Sequence, residues 1–296
     1  MEQNVNRGDS NRITRDYFDS LLVEMRQLDS GIPSTELELY GERFSTPVMM
    51  AALSHLDGCH PDGMVEMARG AAAANAVMWA GMGSEEELEA ITATGAKTVK
   101  IIKPYADRAQ VYRKLEHARA CGAMAVGMDI DHAFNRTGQF DNVLGNPMSA
   151  VSLEELKDFV RVAGLPFVVK GVLSVQDARK CAEAGVRGIV VSHHHGVMDY
   201  AVPPLMALPK IVEAVGRQMP VFVDCGFESG MDVFKALALG ATAVSVGRMV
   251  MGPLHDEGAE GIRKTVERVT GELAGAMART ASLRLGEIDP SVLWHL

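Results

Sequence analysis

Eight short apolar runs, each followed by a stretch of helical periodicity, restrict the fold of this chain more than any other feature. They are VMMAAL from residue 48, AVMWAG from 76, TVKIIK from 98, AVGMDID from 125, FVVKGV from 167, GIVVSH from 188, VFVDCG from 221 and AVSVGR from 243. Near-continuous apolar runs of this length suit strands buried on both faces, as in a parallel sheet covered by helices. The segments between them include HPDGMVEMARGAAAAN, SEEELEAITATG, RAQVYRKLEHARACG, SLEELKDFVRVAG, SVQDARKCAEAG, LMALPKIVEAVG and SGMDVFKALALG. The last six close on glycine, the residue that most readily takes the left-handed turn ending a helix. Two open on serine with glutamate three residues later, the spacing of a capping box. The runs begin 21 to 42 residues apart, the length of a strand-helix-strand unit, and eight such units in ~250 residues predict an α/β fold, a closed TIM (β/α)8 barrel. A doubly wound open sheet is the alternative.

No composition break divides the chain, which predicts one domain: a leader over residues 1–45 and a barrel over 46–296. Within the leader, DYFDSLLVEMRQL has amphipathic helical spacing and is expected to plug the barrel floor. The longest interval follows AVGMDID, where HAFNRTGQFDNVLGNPMSAV precedes the next helix; ~20 residues without an element of their own suggest a lid or substrate loop. A formal charge of −9 with five tyrosines and two tryptophans argues against a nucleic-acid surface and favours a small-molecule partner. The polar start and the lack of an apolar run of about 18 residues give no sign of a secretory leader or a membrane span, so a cytoplasmic location is expected. Cys59, Cys121, Cys181 and Cys225 form no CxxC pair, which predicts reduced thiols and no metal site.

In such a barrel the site is built at the C-terminal ends of the strands, where Lys100, Lys103, Asp129, Asp131, Lys170, His193, His194, His195, Asp224 and Arg248 fall. Lys170 lies inside FVVKGV, where a buried ammonium is costly unless an anionic group meets it; a ligand edge or a salt bridge to Asp224 or Asp131 would serve. The loops after the last two strands, DCGFESG and VGR, place Gly226, Gly230, Gly247 and Arg248 where barrels seat a phosphate. Trp79 borders the mouth or packs in the core. Three consecutive histidines on a strand end would point to alternating sides, so they are not expected to share one metal.

The stretches PFVVKGVLSVQDARKCAEAGVRGIVVSHHHG and VFVDCGFESGMDVFKALALGATAVSVGRMV, with TPVMMAALSHLDGCHPDGMVEMARGAAAANAVMW nearer the start, resemble the FMN-dependent α-hydroxy-acid oxidase and dehydrogenase family, which includes glycolate oxidase and lactate oxidase. The resemblance implies an FMN-binding barrel and carries roles onto these positions. Lys170 would face the N1 and O2 edge of the flavin, while Asp224, Gly226, Gly247 and Arg248 would hold the ribityl chain and phosphate. Ala52, Lys100 and Ser192 complete the expected cofactor set. The family's SNHGGR box falls on SHHHGV, so His194 becomes the base, with Asp131 orienting it and Asp129 the alternative in a shifted register.

The chain also departs from the family. The arginine that closes the box and binds substrate carboxylate is Val197 here, and the arginine of the DGGVR turn is Glu228. The strand 3 glutamine and tyrosine fall among Lys100, Ile101, Ile102 and Lys103, and Tyr17 is the candidate for an N-terminal tyrosine. Lys103, Arg136, His193 and His195 are therefore expected to shape a rebuilt substrate site. The reading is an FMN-dependent oxidoreductase acting on a small 2-hydroxy acid or related polar metabolite by hydride transfer to flavin N5, as a homo-oligomer. A flavin-dependent isomerase of the type 2 isopentenyl diphosphate kind, or a flavin-binding barrel without turnover, are the alternatives.

Overall fold

Each apolar run becomes a strand in the computed structural model, which describes residues 7–216 and 218–296. The strands are β1 Val48–Met50, β2 Met78–Ala80, β3 Thr98–Ile102, β4 Ala125–Asp129, β5 Phe167–Val172, β6 Gly188–Val191, β7 Val221–Val223 and β8 Ala243–Val246. All neighbours are parallel, in the order β1-β8-β7-β6-β5-β4-β3-β2. The ring closes where the Met50 amide donates to the Val77 carbonyl at 2.9 Å and Leu53 bridges Ala80. The open sheet is thereby excluded and the TIM barrel stands.

The helices of the repeat are α2 Gly63–Ala73, α3 Glu85–Ala93, α4 Arg108–Ala120, α5 Leu153–Ala163, α6 Val175–Glu183, α7 Pro204–Val215, α8 Gly230–Ala238 and α9 Met251–Ala278, preceded by α1 Ser10–Ser20. All six closing glycines, Gly95, Gly122, Gly164, Gly185, Gly216 and Gly240, take positive φ. Of the two capping-box candidates, Ser152 with Glu155 forms both reciprocal bonds. Ser84 accepts from the Glu87 amide alone.

Alternate residues of the strands fill the barrel with Met49, Val77, Trp79, Val99, Ile101, Val168, Val190 and Phe222. Trp79 is buried, with its indole N–H on the Met49 sulfur and its ring edge-on to Phe222 at 5.4 Å. It is a core residue, not a border of the mouth.

The leader differs from expectation in two ways. The helix ends at Ser20, because Leu21–Val23 pairs antiparallel with Leu293–His295 instead of continuing it. And α1 lies on the mouth side: Thr14 bonds His193, Asn11 bonds His195, and Phe18 packs edge-on against Phe227 at 5.2 Å. Its buried stripe is Ser10, Thr14 and Phe18, too small and polar for an apolar floor but matched to a polar rim. The floor is closed instead by a hairpin, Leu37–Leu39 with Glu42–Phe44, whose Leu37, Leu39 and Phe44 join the interior cluster. Its turn, Tyr40 and Gly41, takes positive φ at both positions, and the Tyr40 hydroxyl donates to the Arg187 carbonyl.

The loop after β4 is not structureless. It begins with a 3-10 turn, Ile130–His132, stacks Phe134 on Phe140, and carries a small hairpin, Asn142–Val143 with Asn146–Pro147. Among the described residues no helix is long and apolar enough to cross a membrane. Phe44 is 2% exposed, so Phe44→Ala is expected to cost about 3–5 kcal/mol through the cavity it leaves. The urea midpoint should fall at unchanged slope; an unmoved midpoint would mean that the hairpin does not seal the floor.

Candidate active site

The end of β5 organises the mouth. Lys170 is aligned with Asp129 of β4 on one side and Val190 of β6 on the other, and its side chain is only 7% exposed. Its ammonium lies 3.3 Å from Asp224 Oδ2, 3.7 Å from Asp129 Oδ1, and 3.4 Å from both Ser192 Oγ and His194 Nδ1. Burial alone would depress its pKa, but Asp224, Asp129 and Asp131 outweigh that and hold it above the usual lysine value. Of the two readings of Lys170, the salt bridge is present, made to Asp224 and Asp129, and the residue also lines the cavity.

Immediately after Lys170 the ladder slips at Gly171, whose φ is +91°. A Cβ there would stand 2.5 Å from the Asp131 carboxyl carbon. The absence of a side chain is what lets Asp131 close in beside β5. Asp131 Oδ1 then meets His194 Nδ1 at 2.8 Å, with Asp129 Oδ1 at 3.2 Å, so both carboxylates weighed from the sequence face the histidine. Burial would lower the imidazole pKa, but Asp129 and the hydrogen bonds of both aspartates raise it to about 9 against the opposing charge of Lys170. Asp129 itself is pulled well below the carboxylate range, because Lys170, His194 and Lys103 together overcome its burial. Asp131 is pushed up by burial and by the Asp129 charge.

The three histidines separate for a different reason from strand alternation. β6 ends at Val191, and His194, His195 and Gly196 run through positive φ values of 47°, 57° and 78°. His193 is buried away from the cavity: its Nδ1 accepts from the Gly196 amide at 3.0 Å, which leaves Nε2–H to donate to Thr14 Oγ1 at 2.7 Å. That is an anchor for α1 and not the substrate contact expected of it. His195 lines the cavity and meets Asn11 Oδ1 at 2.5 Å.

The cavity itself has a volume of about 480 Å3, within the range of small-ligand sites. Lys170, His194, Asp224, Ala52, Leu53, Gly226, Gly247, Arg248 and Arg15 all line it. Ser192 sits behind it, accepting from the His194 amide at 3.0 Å. Three expected residues fall elsewhere. Lys100 donates to the Gly81 carbonyl, its pKa lowered to about 8 by burial. Lys103 is bound to Asp129 at 2.6 Å, and Arg136 is exposed on the loop after β4.

The expected phosphate seat differs too. The first amides at α8 are taken by protein groups: Glu228 N–H by Asp232, Gly230 N–H by Glu272, and Asp232 N–H by Ser229. Arg248 remains, joined by Arg15 of α1, which grips Asp232 through two 3.0 Å bonds and donates to the Gly226 carbonyl. Glu228 is 72% exposed and 4.0 Å from Arg15. Asn11, Arg15 and Cys225 line the cavity without having been singled out in the sequence, and His132 meets His194 directly, Nε2 to Nε2 at 3.0 Å. For His132 the available signal was its position next to Asp131 at a strand end. For Asn11 and Arg15 there was none, since nothing local reports that α1 folds over the mouth.

The sequence matches the FMN-dependent dehydrogenase family over residues 1–149 and 135–295. It is 30% identical to a peroxisomal (S)-2-hydroxy-acid oxidase of Oryza sativa subsp. japonica, covering 92% of this chain and 82% of that protein. It is 30% identical to glycolate oxidase of Spinacia oleracea, covering 94% and 85%. A mandelate oxidase variant solved with (S)-mandelic acid superposes with a TM-score of 0.88 at 29% identity, over 98% of this chain and 90% of that one.

Removing the ammonium by Lys170→Met would leave Asp129 and Asp224 buried without it, at a cost of about 3–5 kcal/mol. Asp129 and Asp224 have lowered pKa values in the fold, so this stabilisation is present above their unfolded values and lost as pH falls through the folded ones. The difference in unfolding free energy between variant and parent should shrink as pH falls below about 4, the ordinary aspartate range; a difference unchanged there would rule out the ion-pair account.

Proposed function

Because the chain belongs to the FMN-dependent dehydrogenase family, we propose that it oxidises a small 2-hydroxy acid, with His194 as base and the 480 Å3 cavity as the FMN site. One observation carries this reading: a buried ammonium and a carboxylate-oriented imidazole, 3.4 Å apart, open onto a cavity that Arg248 also lines. The donor set fits the cofactor. Lys170 would hold the electron-rich pyrimidine edge, Asp224 and Ser192 would support it, Ala52 would border the ring, and Gly226, Gly247 and Arg248 would take the ribityl chain and phosphate. When bound, FMN supplies the acceptor for hydride from the substrate carbon.

The chain's own residues do the rest. Asp131 holds His194 Nδ1, so Nε2 is the atom presented to the substrate hydroxyl, and the imidazolium formed there stays paired with two carboxylates. With Val197 at the position of the family's arginine, the substrate carboxylate needs another cation. Arg136 and Lys103 are the residues assigned to it, Lys103 by exchanging Asp129 for substrate. His195, on the cavity wall, completes the pocket. Residues 1–45 act as a leader and 46–296 as one FMN-binding barrel. A cytoplasmic location and a homo-oligomeric state belong to the same reading, the second supported by the family resemblance.

Anaerobic mixing with a panel of 2-hydroxy acids should bleach the visible flavin band; a band untouched by every acid would defeat the proposal. His194→Gln should keep FMN and slow reduction by on the order of 10²–10⁴, the usual contribution of a positioned base. A base must be neutral to act, so kcat/KM should rise with pH until about 9, where His194 loses its proton, and level off beyond. A profile flat from pH 6 to 9 would remove His194 from the proton-taking role.

A further inference from the structure

The reactive nitrogen of the base is not left facing open space. His194 Nδ1 is 2.8 Å from Asp131, and His194 Nε2 is 3.0 Å from Nε2 of His132, with the two rings edge-on at 78°. Two imidazole nitrogens at that distance share a single proton, one ring donating and the other accepting. His194 sits between carboxylates and is the donor. His132 must then carry its own proton on Nδ1, a buried nitrogen with no hydrogen-bond partner that points towards Asp141 Oδ2, 3.7 Å away. The Asp141 side chain is 26% exposed. Asp131, His194, His132 and Asp141 thus form a file of proton-carrying groups from the buried cage to the surface of the loop after β4.

We propose that His132 is a relay that drains the proton from His194 to Asp141 and water, resetting the base between turnovers. The inference rests on the role of His194 given above. The proton on His194 Nε2 passes to His132 Nε2, and His132 releases its Nδ1 proton to Asp141; one proton enters, one leaves, and no electrons move. The substrate hydroxyl needs the same Nε2, so His132 gives way to substrate and returns when product departs. Four groups set its proton affinity: His194 and Lys103 disfavour a charged His132, while Asp129 and Asp141 favour it. With burial the largest cause, its pKa falls to about 4, so it passes a proton on and does not store it. An outlet is needed because His194 holds its proton up to about 9. The donor atoms of Asp129, Asp131, His132 and His194 also lie within 4.8 Å of one another, close enough for a metal ion. The charges argue against one: Lys103 and Lys170 already face Asp129 at 2.6 and 3.7 Å.

His132→Gln preserves an acceptor for Nε2 but cannot hand a proton on, and His132→Ala leaves space for a free imidazole. Steady-state turnover should fall in both by on the order of 100-fold, with flavin content and unfolding midpoint unchanged. Added imidazole should restore His132→Ala in proportion to its neutral fraction and leave His132→Gln slow. Turnover of His132→Gln at the parent rate, or no rescue of a folded, flavin-loaded His132→Ala, would overturn the relay. Nitrogen-15 NMR of the parent protein gives a readout that needs no turnover: His132 should appear as the Nδ1–H tautomer, and an Nε2–H tautomer would overturn the relay by itself. A flavin that no acid reduces would count against the proposed oxidation, with the tautomer still deciding the relay.

Discussion

A lysine ammonium buried at the end of β5 is the constraint around which the mouth is arranged. Asp224, Asp129 and Asp131 surround Lys170, and Lys103 and His194 supply the remaining positive charge. Three carboxylates therefore meet two ammonium groups and an imidazolium, a balanced set in which removing any one member strands a charge away from water. The set also explains the protonation of the base. A histidine facing one carboxylate would be steadied; one facing two is held charged until well above neutrality, even against the opposing charge of Lys170. The ion pairs around Lys170 and those around His194 are one network, joined through Asp129.

The cavity lining is built in two ways. Around Lys170, Asp129 is fixed by ladder register, while Asp131, His194 and Asp224 follow the ends of their strands, Asp131 admitted by the slip at Gly171. Elsewhere the donors come from Arg248 after β8 and from Arg15 of α1, while the α8 amides are satisfied by Asp232, Glu272 and Ser229. Val197 and Glu228, where the resemblance expects arginines, both lie on loops after strands, while Lys100 to Lys103, where it expects a glutamine and a tyrosine, lie on β3 and at its end.

Periodicity made the barrel legible. The eight strands and the six glycine helix ends follow from local preferences that the tertiary structure does not override, and Lys170, Asp131, His194 and Asp224 could be placed because strand ends converge. The failures have a common cause in long-range packing. DYFDSLLVEMRQL reads as one amphipathic helix, but only its first five residues are helical: contact with a distant strand stops the helix at Ser20, and the polar stripe of Ser10 and Thr14 suits it to the rim. Lys103 reads as a free cation until Asp129 is seen beside it, and His193 as a ligand until Thr14 closes over it. The separation of the three histidines was anticipated, but through strand alternation, whereas a left-handed turn produces it.

The tether of the leader sets the order in which this protein can be assembled. Leu21–Val23 pairs with Leu293–His295, and Trp294 Nε1 donates to Glu24 across 270 residues of sequence. A contact spanning so long a loop carries a large closure entropy and forms late. During synthesis the barrel's strands can associate unit by unit, but the strand that follows α1 cannot pair until residues 293–295 have left the ribosome. The tether thus fastens α1 over a mouth whose walls are already standing.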